Sequence, residues 1–355
     1  MKILVTGGCG FIGSNLIRYL LDRTDHSVVN IDKLTYAANP ASLVDYEDSP
    51  RYEWHGVDIA NADEISAAIM RASPEAVIHL AAETHVDRSI QGASDFVHTN
   101  LVGTFRLLEA CNGYYAKLVG ELRQRFRFIH VSTDEVYGSL GATGYFNEHS
   151  PYAPRSPYAA TKAGSDHLVA AWHATHQFPA MVTHCSNNYG PYQFPEKLIP
   201  LMILAAMREQ PLPVYGTGQN IRDWMHVEDH VRGLLAVLER GRIGETYAMG
   251  AQEERRNIDI VKALCAHLDQ FAPRPGGGLY QELITLVTDR AGHDFRYAID
   301  STKVRSEIGW QPAIALEDGL KQTVQWYLNH VAWWQPILEA ASRREMIATA
   351  KERSQ

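Results

Sequence analysis

The chain has 355 residues, 45% hydrophobic and 21% charged, ample for a large globular fold with a substantial core. Its formal net charge of -8 excludes the basic footprint of a nucleic-acid or anionic-membrane binder, so an anionic ligand must be met by local Arg and Lys. Cys9, Cys111, Cys185 and Cys265 form no CxxC pair, which points to buried free thiols in a reducing compartment. With no signal-like leader and no apolar run of transmembrane length, the expectation is a cytoplasmic protein.

The chain opens on a strand, Lys2–Thr6, that runs into Thr6-Gly7-Gly8-Cys9-Gly10-Phe11-Ile12-Gly13 and a helix-period stretch, Ser14–Leu21. Glycines between a first strand and a first helix allow a tight turn and close approach of backbone to a pyrophosphate. The helix N-terminus then supplies positive potential. A second strand, Ser27–Asp32, ends on a carboxylate 19 residues beyond Gly13, where the ribose of a dinucleotide is bound. Its charge favours NAD over NADP, and Lys33 beside it works the other way. Cys9 reads as a small spacer.

Strands Tyr52–Val57 and Ala76–Leu80 follow, with the helical stretch Asp63–Ala72 between them. Asp58-Ile59 ends one strand and can bracket an adenine. Leu80-Ala81-Ala82 ends the other with small side chains that let a cofactor lie close. A long helical stretch, Phe96–Leu122, leads to the strand Phe126–Ser132 and then to Thr133-Asp134-Glu135. Adjacent carboxylates on a regular strand face opposite ways. They share a pocket only if the strand has ended, which Val136-Tyr137-Gly138 permits. Otherwise one is catalytic and the other a solvated loop residue. Two close carboxylates separate in pKa, one held protonated as acid and the other ionised as base.

Ser156-Pro157 starts a helix, Pro157–His176, with Tyr158 and Lys162 one turn apart on the same face. A free tyrosine is a poor base near neutrality, and a neighbouring ammonium is expected to lower its pKa. The strand Ala180–His184 completes an alternation that argues a doubly wound parallel sheet with helices on both faces. Beyond residue 188 prolines punctuate a looser pattern, with helices at Lys197–Arg208, Val227–Arg240, Ile258–Leu268 and Ala315–Asn329. The expected division is 1–187 for dinucleotide binding, with later segments returning to it, a smaller mixed α/β lobe at 188–330, and a C-terminal helical extension at 331–355 carrying Trp333, Trp334 and Arg343-Arg344. His176 and His184 lack a third ligand at metal spacing, so no metal is expected.

Nine segments then add up: Thr6–Gly13, Val29–Tyr36, Thr84–Ile90, Ser132–Gly138, Ser156–Lys162, Ser186–Pro200, Gly218–Trp224, Val227–His230 and Gly292–Asp300. In this order, over roughly residues 1–330, the chain resembles the extended short-chain dehydrogenase/reductases, on the dehydratase side of the NAD-dependent epimerase/dehydratase family. The resemblance implies a Rossmann-type domain, a nucleotide-diphosphate sugar as substrate with dTDP-glucose foremost, and a redox-neutral loss of water in which NAD is borrowed and returned. It implies cofactor contacts from Gly7, Gly10, Phe11, Ile12, Gly13, Asp32, Lys33, Leu34, Thr35, Asp58, Ile59, Leu80, Ala81, Ala82, Thr84, Thr99, Tyr158, Lys162 and Asn188. Substrate contacts carried over are Thr84, Thr133, Asn187, Lys197, Leu198, Pro213, Tyr215, Arg222, Asn257 and His293, and Arg290 joins them as a lobe cation able to meet a diphosphate.

By the same resemblance Tyr158, assisted by Lys162, takes the C4 hydroxyl proton, and Thr133 bonds the oxygen that becomes the ketone. Glu135 removes the C5 proton and Asp134 protonates the departing C6 hydroxyl. A homodimer through the Phe96–Leu122 and Pro157–His176 helices is the family expectation. Cys9, His226 and Ala291 stand where alanine, tyrosine and proline are commoner. The competing readings are a UDP-hexose dehydratase, a 4-epimerase, a decarboxylase, or a non-catalytic NAD-binding sensor.

Overall fold

The computed structural model describes residues 1–340. Its strands are β1 (Lys2–Thr6), β2 (Ser27–Ile31), β3 (Tyr52–His55), β4 (Ala76–His79), β5 (Arg127–Thr133), β6 (Ala180–Cys185), β7 (Asn187–Tyr189), β8 (Leu212–Tyr215), β9 (Ile221–His226), β10 (Thr246–Met249), β11 (Glu254–Arg256) and β12 (Ile284–Val287). Seven of them form one sheet in the order β10-β6-β5-β4-β1-β2-β3, and every pair in it is parallel. Strand order reverses between β1 and β4. In such a sheet the crevice beyond the carboxyl ends at that reversal is where a ligand binds.

Alternation along the strands builds two cores. Ile3 and Val5 face one side, where Leu16, Ile17 and Leu20 of the helix Phe11–Arg23 meet Val231, Leu234 and Val237 of the helix Val227–Arg240. Leu4 faces the other, with Ile65 and Ile69 of Ala62–Ala72, Leu107 and Leu108 of Thr104–Tyr115, and Val169 of Pro157–His176. A third core joins the helices Leu198–Met207, Asn257–Phe271 and Leu316–Asn329 with Trp224, Trp333 and Trp334. It lies beneath a three-stranded sheet, β11-β9-β7, and a parallel pair, β12-β8. The strand β10 and the Val227–Arg240 helix return to the large sheet after the chain has begun the lobe.

One expected helix is not continuous. Phe96–Leu122 is divided into a π-helical turn, Val97–Gly103, then Thr104–Tyr115, then a short helix at Gly120–Arg125. Asn100 within the π turn is buried and spans to Glu83, whose N–H it accepts at 2.8 Å and whose carbonyl it donates to at 3.0 Å. Gly120 breaks the run with a φ of 58°. The C-terminal segment is helical at 331–340 but not peripheral, since Trp333 is buried and its indole N–H donates to Ser42 Oγ at 3.0 Å. Arg343 and Arg344 lie outside the described residues.

Candidate active site

One cleft opens at the strand-order reversal. Of the residues singled out from the sequence, it is lined by Gly7, Gly10, Phe11, Ile12, Gly13, Asp32, Lys33, Thr35, Ile59, Leu80, Ala81, Ala82, Thr84, Thr99, Thr133, Asp134, Glu135, Tyr158, Lys162, Asn187, Asn188 and Lys197. Leu34, Asp58, Leu198, Pro213, Tyr215, Arg222, Asn257, Arg290 and His293 stand outside that lining. Several of these still act on it through their charge.

At the β1 end, Gly7 has a φ of +72°, and a Cβ there would meet the Ala81 backbone at 2.7 Å. A Cβ on Gly13 would meet the Gly7 carbonyl at 2.2 Å, so the turn closes only with glycine at both positions. Asp32 is buried, accepting from Cys9 N–H at 2.9 Å and Leu34 N–H at 2.8 Å. Burial raises its pKa while those two N–H groups and Lys33 oppose the rise. Lys33 does not stand free. Its ammonium donates to Asp58 at 3.2 Å and Thr99 at 3.0 Å, so Asp58 acts on the cleft by holding that cation. The glycine turn, the Asp32 carboxylate that follows β2 and the small Ala81-Ala82 wall together fit a dinucleotide. The Cys9 thiol is pushed by burial up to about 12, as suits a spacer.

At the β5 end the strand stops at Thr133, and Asp134–Tyr137 forms a 3₁₀ turn that Thr133 caps by accepting the Glu135 N–H at 3.3 Å. That turn brings both carboxylates to one cleft. The Thr133 hydroxyl donates to Asp134 Oδ1 at 3.3 Å, and Asp134 Oδ2 is buried with no partner among the described residues. Burial, Glu135 and Asp223 raise the Asp134 pKa well above the carboxylate range. Burial raises Glu135 as well, but Lys197, Arg222 and Arg290 pull it down. The pKa of both is raised by burial, but three cations oppose the rise at Glu135, so Asp134 is the more readily protonated and Glu135 the more readily ionised.

Ser156 caps the helix that carries Tyr158 and Lys162, accepting Ala159 N–H at 3.1 Å, with Pro157 at its first position. Both functional side chains are buried. The Lys162 ammonium donates to the Val131 carbonyl at 2.9 Å and lies 3.5 Å from His130 Nε2. Tyr158 departs from expectation. Burial, then Glu135 and Cys185, push its pKa up, and its Thr133 hydrogen bond is the opposing influence.

Of the expected substrate cations, Lys197 donates to the Thr84 carbonyl at 3.0 Å. Arg222 is buried, binding the carbonyls of Ile221 at 2.8 Å and Asp294 at 3.0 Å and lying 4.3 Å from the Tyr297 ring centre. Arg290 is committed to Asp87 by contacts of 2.6 and 3.0 Å. His293 donates from Nδ1 to the Asp289 carboxylate at 2.7 Å, beside the half-exposed Tyr215 ring, 6.2 Å away. Asn187 Oδ1 and Asn257 Oδ1 are buried without partners among the described residues. Asn188 Oδ1 is held by His230 at 2.9 Å. Among the described residues no group of three or more His, Cys, Asp or Glu is arranged to hold a metal.

The sequence reading missed a buried cluster behind Lys162. Asp166 lies 3.2 Å from His130 Nε2 and 3.0 Å from His184 Nε2, and it accepts from Ser132 at 2.9 Å and Tyr152 at 3.1 Å. Burial works against its ionisation, yet the bonds from His130 and His184 hold it well below the usual carboxylate range. A signal was present, for Tyr158, Lys162 and Asp166 follow at i, i+4 and i+8 on one helical face. The cluster of Glu196 with Tyr36 (2.9 Å), Arg88 (3.6 Å) and His85 (3.7 Å) was also unforeseen and adjoins the cofactor end.

Residues 4–323 match the family described as GDP-mannose 4,6 dehydratase. A dTDP-glucose 4,6-dehydratase of Neisseria meningitidis serogroup B is 54% identical over 353 residues, 99% of each chain. The crystal structure of a dTDP-glucose 4,6-dehydratase from Streptomyces venezuelae, with NAD bound, superposes with a TM-score of 0.86 at 43% identity, covering 95% of this chain and 100% of that one. A UDP-glucuronic acid 4-epimerase from Bacillus cereus shares the fold at a TM-score of 0.79 and 28% identity, covering 92% and 98%. The chain belongs to the extended short-chain dehydrogenase/reductases and, within them, to the dTDP-glucose 4,6-dehydratase family.

Proposed function

We propose that this chain converts dTDP-glucose to dTDP-4-keto-6-deoxyglucose, with NAD as its cofactor. The observation that carries the reading is the Thr133-capped turn. It brings a buried Asp134 oxygen that has no partner among the described residues, and a cation-flanked Glu135, to the cleft that Tyr158 and Lys162 also line. NAD, when bound, supplies the hydride acceptor and, later in the same turnover, the hydride donor, together with a positive ring.

Tyr158 takes the proton of the C4 hydroxyl as C4 is oxidised, and Lys162 holds positive charge behind it. Thr133 hydrogen-bonds the oxygen that becomes the ketone. The ketone acidifies the C5 hydrogen, which Glu135 removes; after exchange with solvent Glu135 delivers a proton back to C5. Asp134 protonates the C6 hydroxyl so that it leaves as water. Gly7, Gly10, Phe11, Ile12, Gly13, Asp32, Ile59, Leu80, Ala81, Ala82 and Thr99 bind the cofactor, and Lys33, held by Asp58, lets Asp32 set the preference. Arg222 and Lys197 neutralise the diphosphate, Asn187 and Asn257 bond the sugar nucleotide, and Tyr215 and His293 flank its base. Arg290 acts at one remove, through its pairing with Asp87 and its field on Glu135.

Within residues 188–330, the parts other than Val227–Arg240 and β10 serve as the sugar-nucleotide lobe. A homodimer in a reducing compartment, the cytoplasm, completes the reading, and the four buried free cysteines are in keeping with that compartment. Incubation with dTDP-glucose tests the reading. It expects a product with a 4-keto chromophore in alkali. Interconversion to the galactose epimer with no such product would overturn it in favour of an epimerase.

A further inference from the structure

Gln193 belongs to the lining of the cleft and is 7% exposed, and its side-chain amide is only half used. Nε2 donates to the Asn188 backbone carbonyl at 2.9 Å, and a carbonyl can only accept, so the amide cannot be turned the other way. Oε1 is left over, buried and without a partner among the described residues. An acceptor in that state costs free energy until a donor meets it. Asn188, beside it in the same lining, carries the opposite surplus. Its Nδ2 donates to the Ser186 carbonyl at 2.9 Å, which places Oδ1 on His230 Nδ1, also at 2.9 Å. Because Oδ1 only accepts, His230 carries its proton on Nδ1 and locks the Asn188 amide. Burial keeps that imidazole neutral, with a pKa of about 3. The second hydrogen of Asn188 Nδ2 has only the Cys185 thiol, a weak acceptor.

We infer that Gln193 and Asn188 form a carboxamide site, in which Gln193 Oε1 accepts an N–H of the nicotinamide carboxamide and the remaining Asn188 N–H donates to its oxygen. An amide acceptor beside an amide donor is the complement of a primary carboxamide, which matches the pair in one orientation only. A ribose hydroxyl donates and accepts through one atom and has no need of such a pair. The position agrees. Cys185 is the register partner of Thr133 on β5, so Asn188, three residues further on, stands at the catalytic end of the cleft. The mount is fixed from outside as well. The Tyr327 hydroxyl donates to the Gln193 carbonyl, and Asn15 of the Phe11–Arg23 helix donates to that of Pro191 at 3.0 Å. Two bonds to the carboxamide hold the ring against rotation and keep one of its faces toward the catalytic groups. Gln193 is then a cofactor-binding residue, and His230 a positioning residue that acts through Asn188. The site rests on NAD as the cofactor and not on the identity of the sugar.

Retention of dinucleotide, with no sugar present, tests the site. Holoenzyme is equilibrated with equal concentrations of NAD and its 3-acetylpyridine analogue, in which a methyl replaces the amide NH2 and the carbonyl stays. The dinucleotides that remain bound are then separated by chromatography. Wild type should retain NAD over the analogue by about tenfold, the worth of one buried hydrogen bond. Gln193→Met should bring the two to within about twofold of each other. The thionicotinamide analogue, whose sulfur is a weak acceptor, tests the other half in the same way, and His230→Phe should narrow its disadvantage. Equal retention of NAD and the acetylpyridine analogue by wild type would overturn the site. So would a wild-type ratio preserved in Gln193→Met, since a glutamine with a merely structural role weakens both dinucleotides alike. Protein that shows the predicted ratios but forms no 4-keto product from dTDP-glucose would overturn the sugar reading and leave the carboxamide site standing.

Discussion

His130 Nε2 stands between two charges, 3.5 Å from the Lys162 ammonium and 3.2 Å from Asp166 Oδ1. Burial pushes the Lys162 pKa down, and Asp166 opposes that, so the lysine owes part of its charge to a carboxylate it does not touch. Asp166→Asn is expected to lower the Lys162 pKa further and move the alkaline limb of the kcat profile to lower pH, with KM for dTDP-glucose little changed. Breaking the buried cluster should also cost about 3–5 kcal/mol of stability. A pH profile read beside a thermal melt separates the two effects.

Lys33 is restrained by Asp58 and Thr99 rather than offered to a 2′-phosphate. The pair is partly exposed, so its net worth is about 1 kcal/mol or less. Asp58→Asn should raise NADP binding relative to NAD by about fivefold at most. Asp32→Asn should shift the ratio further, because it removes the carboxylate itself. Titration of the two dinucleotides against intrinsic fluorescence gives both ratios.

His226 is buried with Nε2 unpartnered among the described residues, and burial lowers its pKa to about 4 from an unfolded value near 6.5. Between those values the unfolded chain binds the additional proton, so this residue withdraws stability as pH falls from about 6.5 to about 4. His226→Tyr should therefore lose less stability than wild type between pH 7 and pH 4.5, by about 2 kcal/mol, in paired denaturant melts. An equal loss in both proteins would count against a neutral buried imidazole.

Trp333 ties the C-terminal helix to the Pro40–Tyr46 segment through Ser42 and packs edge-on against Tyr192 and Trp326. Trp333→Ala is expected to cost about 3–5 kcal/mol, seen as a lower Tm with the glycine turn untouched.

The large sheet was legible because its signals are local. Val227–Arg240 and Pro157–His176 run to the same residues in sequence and structure, since period, Ser156-Pro157 and Asp229 all agree. The Phe96–Leu122 break was not legible, because Asn100 reaches a loop 17 residues away for its partners. The return of β10 beside β6 is likewise a long-range pairing that a four-residue run does not announce. At the site, residue types and spacing identified the acid pair, but only the 3₁₀ turn brings both carboxylates to one cleft. The free role expected of Arg290 ignored Asp87, which is 203 residues away. The expected lowering of Tyr158 by Lys162 rested on helical spacing alone. It did not foresee that the ammonium would be taken up by the Val131 carbonyl.

The central claim is that Glu135 is the base and Asp134 the acid of one elimination. Reaction of dTDP-glucose in deuterated water, followed at C5 by NMR for wild type and Glu135→Gln, tests it most directly. The account predicts solvent deuterium at C5 of a 4-keto-6-deoxy product with wild type, and neither product nor C5 exchange with the variant. Undiminished C5 exchange by Glu135→Gln would contradict it.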